Sequence, residues 1–213
     1  IASNDDWRLV VAKHRSLRPG VHTSGKRSCT RTATASQSRC DKVVWASSAT
    51  GSSKSLSAST SATVSTRLIE SGAVRGRNFV QVGLRGYWPP VETFEWMKDH
   101  ELRWHLMTEV EERGAEAVID DAIAEALDGP DAVYISVDID VLDPGSAPGT
   151  GTPEPGGFLP RELLRAVRRI AGAVEIAGMD IVEVSPPYDH AEVTAMAANR
   201  VALECISALA AKQ

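Results

Sequence analysis

The feature that most constrains the fold of this chain is a nearly continuous apolar run, Ala132-Val133-Tyr134-Ile135-Ser136-Val137. A strand without apolar–polar alternation is typical of a parallel sheet that is covered on both faces. Further strands are predicted over residues 79–84, 103–107 and 174–184, with helical patterns between them. Strands that alternate with helices form right-handed βαβ units. From residue 67 onward the sequence therefore predicts an α/β domain built on a three-layer, doubly wound parallel sheet.

Four helices are predicted between and after these strands. The first covers residues 91–100. The second begins with a capping box formed by Thr108 and Glu111 and continues at helical spacing until Asp128-Gly129-Pro130 ends it. The third begins at Pro160 and has one apolar face, and the last covers residues 190–211. In such an architecture, ligands collect beyond the carboxyl ends of the strands.

Residues 1–66 differ in kind from the rest of the chain. They hold 10 basic and 3 acidic residues, against 13 and 25 in residues 67–213, and 21 of the 44 residues from 23 to 66 are Ser or Thr. A basic tail that binds nucleic acid or is phosphorylated is one interpretation, but Trp45 is the single aromatic residue for stacking in residues 23–66. Disorder is a second, and translation out of frame is a third. We expect a disordered or degenerate segment over residues 1–66 and no nucleic-acid partner.

Composition also bears on location. No apolar run approaches the roughly 18 residues of a membrane span, so no membrane partner is expected. A signal peptide requires a basic stretch followed by an apolar one, and residues 1–7 do not show this pattern. The three cysteines, Cys29, Cys40 and Cys205, are odd in number and lack the spacing of a zinc site. These observations favour the reducing cytoplasm.

Two carboxylates follow the most apolar strand. Asp138 and Asp140 are two residues apart, and in an extended chain this spacing places both side chains on one face. Neighbouring carboxylates repel each other unless a cation lies between them, and oxygen ligands favour Mg²⁺, Ca²⁺ or Mn²⁺. The alternative is that the two side chains only cap turns and helices.

Longer motifs around these residues carry a family resemblance. The segment over residues 136–144 and the Gly/Pro-rich loop over residues 147–157 together resemble the ureohydrolase family, which includes arginases and agmatinases. Residues 180–190 are similar to a later strand-and-loop motif of that family. The resemblance covers residues 67–210, and residues 82–86 look more like agmatinases than arginases. The sheet expected from it is of the arginase type, and residues 67–213 would form the C-terminal portion of the domain.

The resemblance implies a function and three site residues. Asp138 and Asp140 would be ligands of a two-manganese centre, and Glu183 would bind the guanidinium group of the substrate. The implied activity is a manganese-dependent, agmatinase-like hydrolysis of agmatine or a related guanidino compound to an amine and urea. Two metal ions lower the pKa of water, and a carboxylate holds a guanidinium by charge-assisted hydrogen bonds. For Glu183 the alternative is an ordinary ion pair at a strand end.

The sequence departs from the family in one respect. The upstream GGDH-type and DAHxD-type motifs, which supply four further metal ligands in ureohydrolases, are absent from it. The alternative function is therefore a catalytically inactive remnant or an interaction protein, and a homo-oligomer remains possible in either case.

Other motif residues have structural interpretations. Asp143 is expected to fix a turn, Thr150 and Thr152 to bond the metal-binding carboxylates, and His190 to cap a helix. The loop glycines are expected to allow close backbone contacts. They are Gly149, Gly151, Gly156 and Gly157.

Overall fold

The computed structural model of the chain describes residues 9–14, of which only the backbone is considered, together with residues 66–87 and 89–212. The prediction of a disordered or degenerate segment lies outside the described residues, apart from residues 9–14 and 66. Five strands form one sheet in this part of the chain, and five helices surround it, besides helical residues 66–70. The strands are β1 (Leu9–His14), β2 (Val80–Leu84), β3 (Arg103–Leu106), β4 (Ala132–Asp138) and β5 (Ile176–Val182). The helices are α1 (Val91–Asp99), α2 (Met107–Arg113), α3 (Ala115–Ala126), α4 (Pro160–Ala173) and α5 (Val193–Ala210).

The strand order is β3-β2-β1-β4-β5. Strands β2 and β3 run parallel to each other, as do β4 and β5, so the predicted α/β class is confirmed. Strand β1 is different, because it lies between the two parallel pairs and runs antiparallel to both of its neighbours. The parallel arrangement predicted from residue 67 onward holds for β2 to β5, and β1 lies outside that range. Its sequence, Leu9-Val10-Val11-Ala12, favours a strand locally, although the composition of the surrounding segment does not.

The core lies on both faces of the sheet because alternate residues of a strand point to opposite sides. One cluster joins Val80 and Val82 of β2, and Ile135 of β4, to the buried faces of α3 and α4. The second cluster packs Phe79 and Leu84 against Met97 of α1. Helices therefore cover the sheet on its two faces, which gives the three predicted layers.

Two predicted helix boundaries are wrong. The single helix expected from Thr108 is two helices, because Gly114 between them adopts φ 84° and ψ 143°. A positive φ costs glycine little but strains other residues. The predicted capping box does not form either, since α2 begins after Leu106 and no side chain caps that end. Asp189, rather than His190, caps the last helix through bonds from the backbone N–H groups of Thr194 and Ala195.

Helix α5 packs against α4 through a buried acid. Glu204 is 2% exposed and accepts hydrogen bonds from Arg168 and Arg200. Residues 190–210 are also long and apolar enough, by length and composition alone, to cross a membrane. In the structure 22% of this apolar window is buried, including Val201 and Cys205, which pack against the rest of the domain.

Candidate metal and substrate site

The two predicted metal-binding carboxylates lie at the carboxyl end of β4. The strand ends at Asp138, and Asp140 lies in the short 3₁₀ helix Ile139–Val141 rather than in an extended chain. Their residues are 0% and 1% exposed. The Asp140 N–H donates to Asp138 Oδ1 over 3.3 Å, and the Thr152 hydroxyl donates to Asp140 Oδ2 over 3.1 Å. The sequence thus located the pair, but a tight turn rather than strand pleating brings the two side chains together.

One oxygen of each carboxylate is buried without a hydrogen-bond partner. These atoms are Asp138 Oδ2 and Asp140 Oδ1. Burial raises the pKa of both side chains well above the usual range, and the nearby charges of Asp140 and Glu183 raise the pKa of Asp138 further. Buried carboxyl groups are normally fully hydrogen-bonded, so an unpartnered oxygen on each of two neighbouring residues requires an explanation.

Glu183 follows β5 at the same edge of the sheet. Its charge raises the pKa of both aspartates, which places the three acids within electrostatic reach of one another. Its backbone has φ 62°, a left-handed conformation that few non-glycine residues adopt. Such strain often occurs at ligand-binding positions. Because β4 and β5 are parallel, their carboxyl ends bring these side chains to a common region.

The loop after Asp140 is held by its own polar groups. Asp143 Oδ1 and Oδ2 accept from the N–H groups of Gly145 and Gly156, each over 2.9 Å. These bonds lower the pKa of Asp143, and the carboxylate fixes the turn as the sequence predicted. Thr152 makes the expected bond to a metal-site carboxylate. Thr150 does not, since its buried hydroxyl has no hydrogen-bond partner.

The glycines of this loop differ in how closely other atoms approach them. A Cβ atom at Gly149 would lie 2.4 Å from the Asp189 Cβ, and one at Gly157 would lie 2.6 Å from the Asp143 nitrogen. These two glycines permit the expected close contacts. Gly151 and Gly156 have open space around them, so the same expectation is wrong there, although Gly156 has a positive φ.

Two hydrogen bonds tie this loop to the segment that follows Glu183. The Ser185 N–H donates to the Gly149 carbonyl over 2.7 Å, and the Gly149 N–H donates to the Thr194 hydroxyl over 2.7 Å. The loop that carries Asp140 and the loop that follows Glu183 are therefore directly braced.

Sequence reasoning missed Arg85, which follows β2 at this edge of the sheet. Its Nη2 donates to the carbonyl of Asp140 over 2.7 Å and to the carbonyl of Glu154 over 2.6 Å. Burial lowers the pKa of Arg85, while the charges of Asp140 and Glu154 oppose that shift. The sequence did contain one indication of this role, because Arg85 directly follows a strand whose carboxyl end lies at the same edge of the sheet as Asp138.

The residues present fit part of a divalent metal site. Carboxylate oxygens are ligands for hard cations, and two of them are buried and unpartnered here. Within residues 66–87 and 89–212, however, no group of three or more His, Cys, Asp or Glu side chains is arranged to hold a metal ion. An octahedral ion seeks about six ligands, so Asp138 and Asp140 can supply only a share of them.

A cavity of about 730 Å³ lies away from these acids, between the start of α3 and α4. Four arginines line it, but three of them are already paired with carboxylates: Arg113 with Glu109 and Asp121, Arg168 with Glu204, and Arg169 with Asp120. It is therefore not a simple anion site.

Comparison with known proteins decides the family. The profile of the arginase family matches residues 47–208. The chain belongs to the arginase family. Proclavaminate amidinohydrolase of Streptomyces clavuligerus, a relative of this arginase-family chain, is 42% identical over 127 residues, which cover 60% of this chain and 40% of the relative. Agmatinase of Escherichia coli O7:K1 is 39% identical over 144 residues, which cover 67% of this chain and 43% of the agmatinase.

Structural comparison agrees with this assignment. The crystal structure of formimidoylglutamase from Bacillus subtilis has a TM-score of 0.66 and 34% identity, covering 68% of this chain and 45% of that one. The resemblance to ureohydrolases and the arginase-type fold are thus confirmed. The chain spans less than half the length of these relatives.

Proposed function

We propose that this chain is the part of a manganese-dependent ureohydrolase that carries two metal-binding carboxylates and the substrate carboxylate. The proposed reaction is hydrolysis of agmatine, or a related guanidino compound, to an amine and urea. The observation that carries the proposal is the pair of buried, unpartnered oxygens on Asp138 and Asp140, within electrostatic reach of Glu183. Membership of the arginase family supports it.

Asp138 and Asp140 would hold the metal ions together with ligands beyond the described residues. Manganese, when bound, would activate water for attack by lowering its pKa. Thr152 donates a hydrogen bond to one oxygen of Asp140, and the other oxygen would be available to hold the cation. The chain's own contribution is thus a fixed pair of buried carboxylate ligands.

Glu183 would bind the guanidinium group of the substrate. A carboxylate accepts two parallel N–H bonds from a planar guanidinium, which fixes both its position and its orientation. The reaction then forms a bond from water oxygen to the guanidinium carbon. It breaks the bond from that carbon to the alkyl-bearing nitrogen, which takes up a proton and leaves as the amine. Holding the cation in place turns this attack into an effectively intramolecular step.

The substrate tail decides between related compounds. The relatives are named for agmatine, proclavaminate and formimidoylglutamate. Agmatine is proposed here because residues 82–86 resemble the agmatinase branch, with guanidinobutyrate, arginine and proclavaminate-type guanidines as the other candidates. Selectivity for the tail is proposed to lie in loops such as residues 87–90, in which Tyr87 is 93% exposed. Cytoplasmic location and homo-oligomeric assembly also remain predictions.

The test is urea release from agmatine with manganese. We expect none from the chain by itself, because its described residues supply two ligands. We expect activity from a chimera in which residues 1–66 are replaced by the upstream part of the Escherichia coli agmatinase. Asp138→Asn and Glu183→Gln chimeras are the matched controls, and both should lose activity. A folded chimera whose activity is unaffected by these substitutions would contradict the assigned roles.

The second candidate is an inactive remnant or an interaction protein. The observation that favours it is the lack, in the described part of the chain, of a third metal-binding side chain near Asp138 and Asp140. Failure of a folded, manganese-loaded chimera to release urea from any of the candidate guanidino compounds would favour this alternative.

A further inference from the structure

Arg85 fastens both ends of the loop that carries Asp140. Its Nη2 donates to the carbonyls of Asp140 over 2.7 Å and Leu142 over 3.2 Å, at the start of the loop. The same Nη2 donates to the carbonyl of Glu154 over 2.6 Å, and its Nε reaches the carbonyls of Glu154 over 3.1 Å and Pro155 over 3.2 Å. One side chain from the end of β2 therefore joins residues that are 15 positions apart in the loop.

These contacts leave the metal-facing oxygens free. The hydrogen bonds of Arg85 to this loop end on backbone carbonyls, while Asp138 Oδ2 and Asp140 Oδ1 have no hydrogen-bond partner. An arginine that paired directly with these oxygens would compete with a cation, and this one does not occupy them.

Only the shape of a guanidinium suits this position. Its planar fork offers five donors in fixed directions, whereas a lysine offers one compact ammonium group. The adjacent Gly86 lets Glu154 approach, since a Cβ atom there would lie 2.9 Å from the Glu154 Cδ. The end of β2 is thus shaped to receive the loop.

We propose that Arg85 is a positioning residue that fixes the direction of the Asp140 carboxylate toward the metal by fastening residues 140–155 to the end of β2. This inference rests on the proposed function, because it assumes that Asp140 binds metal. Holding the Asp140 carbonyl restricts the peptide unit from which the carboxylate projects. Groups that orient metal ligands in this way typically contribute 10- to 100-fold to metal affinity.

The experiment is a manganese titration of the full chain, followed by the electron paramagnetic resonance signal of free Mn²⁺. Four proteins are compared: the parent, Arg85→Met, Arg85→Lys and the control Arg103→Met. Arg103 is also partly buried and loses an ion pair with Asp128 on substitution, but it lies away from the site. We expect the dissociation constant to rise at least about tenfold in both Arg85 variants, up to loss of detectable binding, and to be unchanged in the control.

Several outcomes would overturn the inference. Parent-like affinity in Arg85→Met would show that the loop needs no fastening, and full rescue by lysine would show that charge alone matters. If Arg103→Met weakens manganese binding as much as the Arg85 variants do, the effect is a general loss of stability. Urea unfolding of each variant measures that stability in parallel. Parent-like affinity in the Arg85 variants leaves the proposed function intact.

Failure of the parent to bind manganese at all would count against the proposed function, and amide hydrogen exchange then tests the fastening by itself. The amides of Asp143, Ser146 and Phe158 are hydrogen-bonded within the loop region. Exchange at these amides should accelerate at least tenfold in Arg85→Met and not in Arg103→Met. Unchanged exchange would overturn the inference.

Discussion

The substitution Gly149→Ala tests whether the two loops of the site are braced as the structure shows. The added methyl group would lie 2.4 Å from the Asp189 Cβ and 2.8 Å from the Asp189 Cα. Carbon atoms pack at about 3.5–4.0 Å, so the loops must separate by roughly 1 Å. That movement stretches the two 2.7 Å hydrogen bonds that Gly149 makes with Ser185 and Thr194.

The expected cost follows from these contacts. Overpacking costs about 1–3 kcal/mol, and each weakened hydrogen bond adds about 0.5–1.5 kcal/mol. Partial relaxation removes some of this sum, so we expect Gly149→Ala to lower the free energy of unfolding by about 2–4 kcal/mol. Urea unfolding followed by circular dichroism measures it.

The matched control is Gly151→Ala, two residues further along the same loop. A Cβ atom at Gly151 meets nothing within 4 Å, so this substitution should change stability by no more than about 0.5 kcal/mol. If Gly149→Ala unfolds within 0.5 kcal/mol of the parent, the loops are not in the described contact and the reasoning is refuted.

Two further predictions concern titratable groups. His105 is buried between Glu109, 3.0 Å from its Nδ1, and Glu125, 3.4 Å from its Nε2. Burial lowers the pKa of His105, but the contacts with the carboxylates of Glu125 and Glu109 outweigh it and the pKa is raised above 6.5. The stability that this group contributes is therefore fully present below about pH 6.5 and is lost as pH rises through the folded-state pKa. His105→Gln should cost about 1.5–3 kcal/mol at pH 6 and much less at pH 9, with His100→Gln as the control; an equal cost at both pH values would contradict this. Asp138→Asn in chelator-treated protein should raise the free energy of unfolding at pH 7 by about 1–3 kcal/mol, because it removes a carboxyl group that ionises readily in the unfolded chain but is disfavoured from ionising by burial in the folded one. The raised pKa of Asp138 means that this gain grows as pH rises from about 4, and thermal unfolding at pH 5 and pH 7 checks its direction.

The parts of the fold that the sequence predicted are those with strong local patterns. The apolar run that became β4 needs no neighbours to be recognised. The break at Gly114 could not be predicted, since a lone glycine inside a helical pattern costs only about 1 kcal/mol and is often tolerated. Strand β1 was hidden because its few apolar residues lie in a segment whose composition indicates disorder.

The candidate site also contains residues that the sequence could predict and residues that it could not. Asp138, Asp140 and Glu183 carry their signal in residue type and position after a strand. Arg85 also follows a strand, but its role could not be predicted, because the acceptors of its hydrogen bonds to Asp140 and Glu154 are backbone carbonyls, which every residue has. Which of Thr150 and Thr152 bonds a carboxylate depends on how the loop folds back, and their spacing does not contain that information.

The most direct test of the account is manganese binding by the full chain, compared with a double variant, Asp138→Asn with Asp140→Asn. The account predicts weak, saturable binding by the parent, because two carboxylates supply only part of the ligand set, and no binding by the variant. Urea unfolding establishes that both proteins are folded. Manganese affinity that is equal in the parent and the double variant would contradict the central claim that these two aspartates are metal ligands.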